Sequence, residues 1–245
     1  MLVPLNEEVR LLHASDILQP LSQEELEELA QNNPDVRLEE GETLFGPEEI
    51  SERLFIVKEG RIRLYKTDQG GNEITIALIG QGRLFGEMAL TAQQLRAVYA
   101  QATEPSLLIS LSSDNLKTLV RSNPEVGLRL IERLSERVRT LENRLEDVSF
   151  KEMPARLASL ILQLLESEGV KTEEGYYQIP TRYSHEQLAT MINAHRVSVT
   201  RAYATLKETG AVELRERLLH VKDLKALGRF AQEKQRAKRI AQRLG

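Results

Sequence analysis

SHEQLATMINAHRVSVTRAYATLKETG, residues 184–210, predicts two short helices joined by a tight turn. Ser184 and Gln187 have the spacing of a capping box, in which the two side chains satisfy backbone groups at the start of a helix. Asn193 stands where the chain must turn, and asparagine is the non-glycine residue that best tolerates a left-handed backbone. The pattern is typical of a helix-turn-helix, with an ordinary helical hairpin in a core as the alternative.

The second helix of this segment has an apolar face and a polar face. Its inward residues are Val199, Ala202, Tyr203 and Leu206. Arg196 and Arg201 lie on the polar face, and a guanidinium can form two hydrogen bonds with a guanine edge in the major groove of DNA. Near the start and on the outer face of this helix lie Arg196, Ser198, Thr200 and Arg201, which are therefore predicted to contact DNA. Simple capping or solvation is the alternative for Ser198 and Thr200.

The net charge of −4 is unevenly distributed along the chain. Residues 151–245 contain 17 Lys and Arg against 11 Asp and Glu, a balance of +6. Residues 1–150 contain 16 against 26, a balance of −10. A basic C-terminal part suits a polyanion, so we predict that double-stranded DNA contacts this part.

Composition excludes several classes of protein. The absence of Cys excludes disulfides and thiolate metal sites and fits a reducing cytoplasm, and the 4 His have no metal-ligand spacing. No apolar run approaches the roughly 18 residues of a membrane span, and the N-terminus has no signal-peptide pattern. No nucleophile–base pair or phosphate loop is present. We therefore expect no enzymatic activity, no metal site and no membrane partner.

The N-terminal half predicts short helices followed by a β-rich region. Residues 5–31 have a helical pattern. Between residues 35 and 111, short alternating or apolar runs are separated by turn residues, including the Q-G-G-N hairpin tip at residues 69–72. Many short strands at close spacing are typical of a small sandwich or barrel.

Residues 123–150 predict a long helix with a heptad seam. Apolar or small residues recur at alternating spacings of 4 and 3 from Gly127 to Val148, and charged residues flank them. Three heptads support a two-stranded coiled coil in a homodimer, with a helix packed on its own domain as the alternative. The predicted dimerisation residues are Ile131, Leu134, Val138, Leu141, Leu145 and Val148.

These patterns predict three domains, at residues 1–122, 123–150 and 151–245. The second boundary predicts a hinge at Phe150, Met153 and Pro154, where proline is tolerated at the start of a new helix. A-V-E-L-R-E-R at 211–217 and L-L-H-V-K-D at 218–223 predict the hairpin wing of a winged helix. The tail, residues 224–245, predicts a basic helix that either adds phosphate contacts or is a solvated end.

An α+β chain of this order resembles the CRP/FNR (cyclic-AMP receptor protein / Fnr) family of bacterial transcription regulators. The resemblance covers roughly residues 20–223 and rests on F-G-E-M-A-L at residues 85–90 with Arg96, and on the helix-turn-helix. It implies an N-terminal cyclic-nucleotide-binding-type β-roll, a long dimerisation helix and a C-terminal winged helix-turn-helix. It also implies a homodimer that reads an inverted repeat, often as an activator that recruits RNA polymerase. The family places the second helix of the motif in the major groove, so the resemblance adds Val197 to the predicted DNA contacts, with Ser184 and His185 on the first helix. Simple capping or solvation is the alternative for Ser184 and His185.

The resemblance further implies an effector pocket at Gly86, Glu87 and Arg96. In the family the glycine approaches the ligand, the carboxylate accepts a ribose hydroxyl and the guanidinium pairs with a cyclic phosphate, roles that suit these groups. A structural ion pair between Glu87 and Arg96 is the alternative.

Four positions depart from the family pattern. Ala97 replaces the serine usual in members that respond to cyclic AMP, and Leu141 and Glu142 replace a Thr-Ser pair that clamps adenine. The sequence therefore leaves open whether cyclic AMP, another cyclic nucleotide or no effector binds. Val197 replaces a glutamate that accepts from cytosine, so a different base preference is expected. A nucleotide-binding signalling module whose C-terminal domain contacts proteins is the remaining alternative.

Overall fold

The computed structural model of this protein describes residue 12, residues 15–91 and residues 95–244. Two compact units are present, Met1–Arg139 and Thr140–Gly245, and each is described by itself. The division falls inside the long helix, which therefore contributes residues to both units. The domain limits at residues 122 and 150 stay predictions.

The first unit contains two antiparallel sheets, as the many short apolar runs predicted. One sheet has the order β1 (Asp35–Leu38), β8 (Ser106–Ser112), β3 (Arg53–Glu59) and β6 (Leu84–Phe85). The other has the order β2 (Thr43–Phe45), β7 (Tyr99–Ala102), β4 (Ile62–Thr67) and β5 (Glu73–Ile79). The predicted β-roll is confirmed, and the hairpin tip between β4 and β5 is stabilised by the Asp68 carboxylate, which accepts from the backbone of Gly70 and Asn72.

Two apolar cores hold this unit together. Side chains from both sheets form one core, in which the rings of Phe45, Phe55 and Phe85 pack against one another. The other core lies among one face of the first sheet and the helices α1 (Gln23–Asn32), α2 (Ser113–Ser122) and the start of α3 (Pro124–Phe150). Residues 15–20 form turns where a helical pattern was predicted, and residues 5–11 lie outside the described part of the chain.

The second unit is built around α4 (Met153–Glu168), whose Leu157, Ile161 and Leu165 are fully buried. A four-stranded antiparallel sheet has the order β11 (Val212–Arg215), β12 (Leu218–Val221), β10 (Tyr177–Ile179) and β9 (Val170–Lys171). The hairpin of β11 and β12 confirms the predicted wing. The pair β9 and β10 was not predicted, because β9 has only two residues and both are exposed.

The C-terminal tail forms two helices, α7 (Leu224–Phe230) and α8 (Lys234–Leu244). Ala237 and Ile240 of α8 are buried, so this helix is docked rather than solvated on all sides. Within the described residues, no helix is both long and apolar enough to cross a membrane.

Candidate nucleic-acid interface and effector pocket

The predicted helix-turn-helix is formed by α5 (His185–Met191) and α6 (Arg196–Glu208). The capping box is present in both directions. The Gln187 backbone N–H donates to Ser184 Oγ at 3.1 Å, and the Ser184 N–H donates to Gln187 Oε1 at 2.8 Å. The Ser184 hydroxyl oxygen is thus already an acceptor within the protein.

The turn between the two helices depends on Asn193, which has a φ of 50°. The left-handed conformation predicted for this residue is therefore confirmed. Arg156 of α4 donates from Nη2 to the carbonyl oxygens of Ile192 and Asn193, the latter at 3.2 Å. Burial lowers the pKa of Arg156, while the charge of Asp147 acts in the opposite direction. Arg156 was missed from the sequence because nothing local connects it to a turn so far along the chain.

The two faces of α6 differ sharply in exposure. Its inward residues are Val199, Ala202, Tyr203 and Leu206, all of them buried as predicted. On the other face, Arg196, Val197 and Arg201 are exposed, Val197 to 60% of its surface, and Ser198 is half-buried. Because the apolar face anchors α6, its outer face is held in a fixed orientation relative to α4 and α5.

The guanidinium groups of Arg196 and Arg201 have no ion-pair partner among the described residues. By contrast, His185 and Thr200 contact each other, with 2.9 Å between Nδ1 and Oγ1. The Thr200 hydroxyl donates to the Arg196 carbonyl oxygen at 3.0 Å, and the His185 ring lies 5.5 Å from the Tyr203 ring. His185 and Thr200 therefore connect α5 to α6.

The wing carries charges that are mostly paired within the protein. Arg215 lies 2.8 Å from Glu174 and 3.2 Å from Glu213, and Lys222 also pairs with Glu213. The hydrogen bonds from Lys222 and Arg215 lower the pKa of Glu213. Arg217 at the tip is exposed.

Two arginines of the basic tail are bonded within the protein and are therefore not available for phosphate contacts. Arg236 pairs with Glu166 at 2.9 Å and with Glu233 at 2.6 Å. Arg243 donates to the Leu165 carbonyl oxygen at 3.1 Å. These two arginines therefore dock α8 on α4.

The candidate effector pocket begins at Gly86, which has a φ of 87° and precedes a short 3-10 helix, Glu87–Leu90. A Cβ atom at this position would lie 2.9 Å from Arg96 Nη1 and 3.1 Å from the Arg53 carbonyl oxygen. Both the backbone conformation and the close approach therefore require glycine.

Arg96 is buried, with 6% of its surface exposed. Its Nη2 donates to the Arg53 carbonyl oxygen at 2.6 Å and its Nη1 to the Gly86 carbonyl oxygen at 3.2 Å. The guanidinium also lies 4.0 Å from the centroid of the Phe45 ring. Burial lowers the pKa of Arg96 to about 10, although the charges of Glu87 and Glu49 oppose this shift.

Glu87 pairs with Arg137 of α3, at 2.9 Å between Oε1 and Nη1. The ion pair between Glu87 and Arg96 that was predicted as an alternative is therefore not observed among the described residues: Glu87 pairs with Arg137, and Arg96 donates to backbone carbonyl groups. Arg137 was interpreted from the sequence only as a charged flank of the seam. Its role depends on the fold, since 50 residues separate it from Glu87.

The residue types at this pocket suit a cyclic nucleotide, since Arg96 fits an anionic phosphate and Glu87 fits a ribose hydroxyl. Both side chains are nevertheless bonded within the protein, so a ligand would have to replace those bonds. Ala97 is exposed, and Leu141 and Glu142 are exposed members of the second unit.

The seam residues of α3 are largely exposed in the single chain. Ile131, Val138, Leu141, Leu145 and Val148 have between 41% and 70% of their surface exposed. Leu134 differs, because it is half-buried against the core of the first unit. Gly127 faces α2, where a Cβ would lie 2.9 Å from Val120 Cγ1. The exposed part of the seam is therefore continuous only from Val138 to Val148.

At the predicted hinge, Phe150 ends α3 with 82% of its surface exposed. Met153 and Pro154 begin α4 and are half-buried. Proline stands where its missing N–H is not needed by the helix.

Two family models match separate parts of the chain. The cyclic nucleotide-binding domain matches residues 35–123, and the Crp-like helix-turn-helix domain matches residues 155–230. The first match makes cyclic AMP or a similar nucleotide a candidate ligand.

Proteins that are similar to this chain align with most of its length. The cyclic AMP receptor protein of Thermus thermophilus is 32% identical over 192 residues, which cover 78% of this chain and 85% of the relative. A global nitrogen regulator of Synechocystis is 29% identical over 187 residues, covering 76% and 83%. A solved transcriptional regulator of the CRP/FNR family, also from Thermus thermophilus, has a TM-score of 0.68 at 27% identity, covering 82% of this chain and 100% of that one. The chain therefore belongs to the CRP/FNR family of transcription regulators and has a helix-turn-helix DNA-binding domain.

Proposed function

We propose that this regulator is a homodimer that reads an inverted repeat by placing α6 of each subunit in the major groove. The observation that supports this proposal is the outer face of α6. Arg196 and Arg201 are exposed there without an ion-pair partner among the described residues, while the opposite face is buried. Arginine forms bidentate hydrogen bonds with guanine, worth about 1–3 kcal/mol of discrimination.

The other predicted DNA contacts have different roles in this proposal. Val197 offers only apolar contact, for example with a thymine methyl group. Ser198 lies beside the arginines and would contact the phosphate backbone. Ser184, His185 and Thr200 first hold the two helices together and contact phosphates secondarily.

The dimer is proposed on the exposed seam of α3. Burying an apolar side chain of this size stabilises an assembly by about 1.5–3 kcal/mol, and the seam supplies several in each subunit. Two subunits related by a two-fold axis would place their α6 helices about 34 Å apart. A monomer would make half of these contacts.

Leu145 provides the test, because it is 70% exposed and lies on the seam. We expect Leu145→Lys to produce monomers in sedimentation equilibrium and to weaken binding to an inverted repeat in fluorescence anisotropy. Leu128→Lys is the matched control, since Leu128 is 56% exposed on the same helix but off the seam. A monomeric wild type, or equal binding of full and half sites, would disprove the proposal.

We also propose that the protein acts in the cytoplasm as an activator that recruits RNA polymerase. The support is family membership alone. In vitro transcription with purified polymerase, on a promoter that carries the preferred site, should show more transcript when the protein is added. Unchanged or reduced transcript would contradict activation at that promoter.

Two versions of the proposed function differ in whether the β-roll binds an effector, and Arg96 has a different role in each. In the first, the Gly86 backbone, Glu87 and Arg96 hold a cyclic nucleotide. In the second, the β-roll is structural and the regulator acts without an effector. The two backbone bonds and the aromatic contact of Arg96 favour the second version, and Ala97 supplies no hydroxyl.

Calorimetry with cyclic AMP, cyclic GMP and cyclic di-GMP separates the two versions. We expect no binding heat for any of the three if the β-roll is structural. Saturable binding of one of them, together with a change in DNA affinity, would establish the ligand-gated version instead.

A further inference from the structure

Lys151, which lies between α3 and α4, has an acceptor for each of its three ammonium N–H groups. Its Nζ lies 2.7 Å from Asp147 Oδ1, 2.8 Å from Ser159 Oγ and 2.8 Å from Glu233 Oε1. The Ser159 hydroxyl donates to the Ala155 carbonyl oxygen, so its oxygen is free to accept from Lys151. The Lys151 side chain is only 10% exposed.

These acceptors come from three parts of the second unit. Asp147 belongs to the last turns of α3, Ser159 belongs to α4, and Glu233 precedes α8. A single ammonium group therefore connects the end of the long helix to the DNA-binding domain and to the C-terminal segment. Removing one partner from a buried ionic cluster is costly, because the remaining charges lose their compensation.

Glu233 is itself fixed on its other side. Its Oε2 accepts from Arg236 Nη1 at 2.6 Å, and Arg236 Nε donates to Glu166 of α4 at 2.9 Å. Burial would raise the pKa of Glu233, but the hydrogen bonds and charges of Lys151 and Arg236 hold it below its ordinary value. Glu233 is therefore an ionised acceptor at neutral pH.

The C-terminal segment that carries Glu233 lies beyond residue 230, where the match to the helix-turn-helix family model ends. It is nevertheless part of the folded unit, because Ala237 and Ile240 are buried. Arg243 adds a hydrogen bond to α4. The segment that presents Glu233 to Lys151 is thus packed against α4.

The turn of the helix-turn-helix is bound by α4, the helix that also carries Ser159. Arg156 of α4 donates to the carbonyl oxygens of Ile192 and Asn193. Burial lowers the pKa of Arg156, and the charge of Asp147 opposes this shift. The turn that precedes α6 is therefore bound to the same helix that Lys151 contacts through Ser159.

We propose that Lys151 is a positioning residue that, with Glu233 of the C-terminal segment, fixes the direction in which α3 enters the DNA-binding domain. The proposal rests on the proposed homodimer. In such a dimer this direction sets the separation of the two α6 helices. Loss of the cluster would leave each reading helix intact and relax the spacing that the pair prefers.

The test measures binding of the full-length protein, by fluorescence anisotropy, to inverted repeats whose half-sites are moved apart or together in single base-pair steps. An isolated half-site is included. For Lys151→Met we expect binding at the preferred spacing to weaken about tenfold, with a much smaller change at other spacings and at the half-site. A merely structural role would weaken binding equally at every spacing and at the half-site.

Glu233→Gln is the second variant, because it keeps the side-chain shape and one oxygen acceptor but removes the charge. It should flatten the spacing preference in the same direction, and it decides the question if Lys151→Met does not fold. Lys238→Met is the matched control, since Lys238 is exposed on α8, and it should keep the wild-type preference.

A wild type with no preferred spacing would refute the proposed palindrome reading itself. A wild type with a preferred spacing that folded Lys151→Met and Glu233→Gln both retain would refute the positioning role alone. The two failures are therefore distinguishable in one set of titrations.

Discussion

The arginines of α6 and the arginine of the β-roll pocket occupy opposite environments. Arg196 and Arg201 are exposed and have no ion-pair partner in the part of the chain that the structure describes, whereas Arg96 is buried and bonded to two backbone carbonyl oxygens. An exposed guanidinium keeps its hydrogen-bonding capacity for a partner. A buried one already contributes to the fold, so a ligand must compete with the protein for it.

The two sites therefore differ in how available their arginines are to a binding partner. The buried inner face of α6 fixes the position of its exposed outer face, and this packing does not require a bound ligand. The pocket contains the residue types of a nucleotide site, but Arg96 and Glu87 already form hydrogen bonds or ion pairs within the protein. Substitutions should therefore affect stability in one region and binding in the other.

The largest expected effect of one side chain concerns stability and comes from Arg96→Met. The substitution leaves the carbonyl oxygens of Arg53 and Gly86 without their donor, and we expect a loss of about 3 kcal/mol in the free energy of unfolding. Urea denaturation of the β-roll, followed by circular dichroism, measures it. Arg201→Ala is the matched control and should change this free energy by less than about 0.5 kcal/mol. Equal stability of the Arg96 variant and the wild type would show that the buried guanidinium does not stabilise the β-roll.

Arg196→Ala should give the converse result. Each half-site loses a bidentate contact, so we expect binding to weaken by about 1–3 kcal/mol per half-site, with relaxed preference at one base pair. Anisotropy titrations at one fixed salt concentration measure the loss, since phosphate contacts make affinity salt-dependent. The melting temperature should be unchanged. A stable variant that binds its site as tightly as the wild type would remove Arg196 from the interface.

Val197 is an apolar residue on the exposed face of α6, so its substitution tests whether this face lies against the bases. We expect Val197→Glu to shift preference towards cytosine at one base pair by about 1–2 kcal/mol, because a carboxylate accepts from the cytosine amino group. Competition binding with the four base pairs at each half-site position measures the shift. Val197→Ala serves as the control, and it should leave the ranking of base pairs unchanged. An identical ranking for the Glu variant would mean that residue 197 does not face the bases.

The helix-turn-helix was predictable because its signals are local. The capping box, the turn at Asn193 and the apolar spacing of α6 each depend on residues within one or two turns of each other. The strands of the β-roll were predictable for the same reason, since apolar runs alternate with turn residues. β9 could not be found, because two exposed residues carry no pattern.

The partners of the charged residues were not predictable. Arg137 with Glu87, Arg156 with the turn, and Lys151 with Glu233 are each brought together by the fold from distant parts of the chain. Charge and spacing identify such residues as polar, but only packing decides which of them are paired. For this reason the sequence alone did not decide whether the pocket binds an effector.

The smallest expected effect concerns the backbone of the turn. Asn193 has a φ of 50°, and an alanine side chain is strained in this conformation by roughly 1 kcal/mol. We therefore expect Asn193→Ala to lower the melting temperature by about 2–4 °C, as measured by circular dichroism. DNA affinity should change little below the transition, because the Arg156 bonds go to backbone carbonyl groups that the substitution retains.

Asn193→Gly is the control that isolates the backbone. Glycine adopts this conformation without steric strain, so this variant should melt close to the wild type while lacking the same side-chain amide. Equal destabilisation by Ala and Gly would attribute the role of Asn193 to its side chain instead. In that case the orientation of α6 would depend on a polar side chain bonded within the protein, as the pocket depends on Arg96.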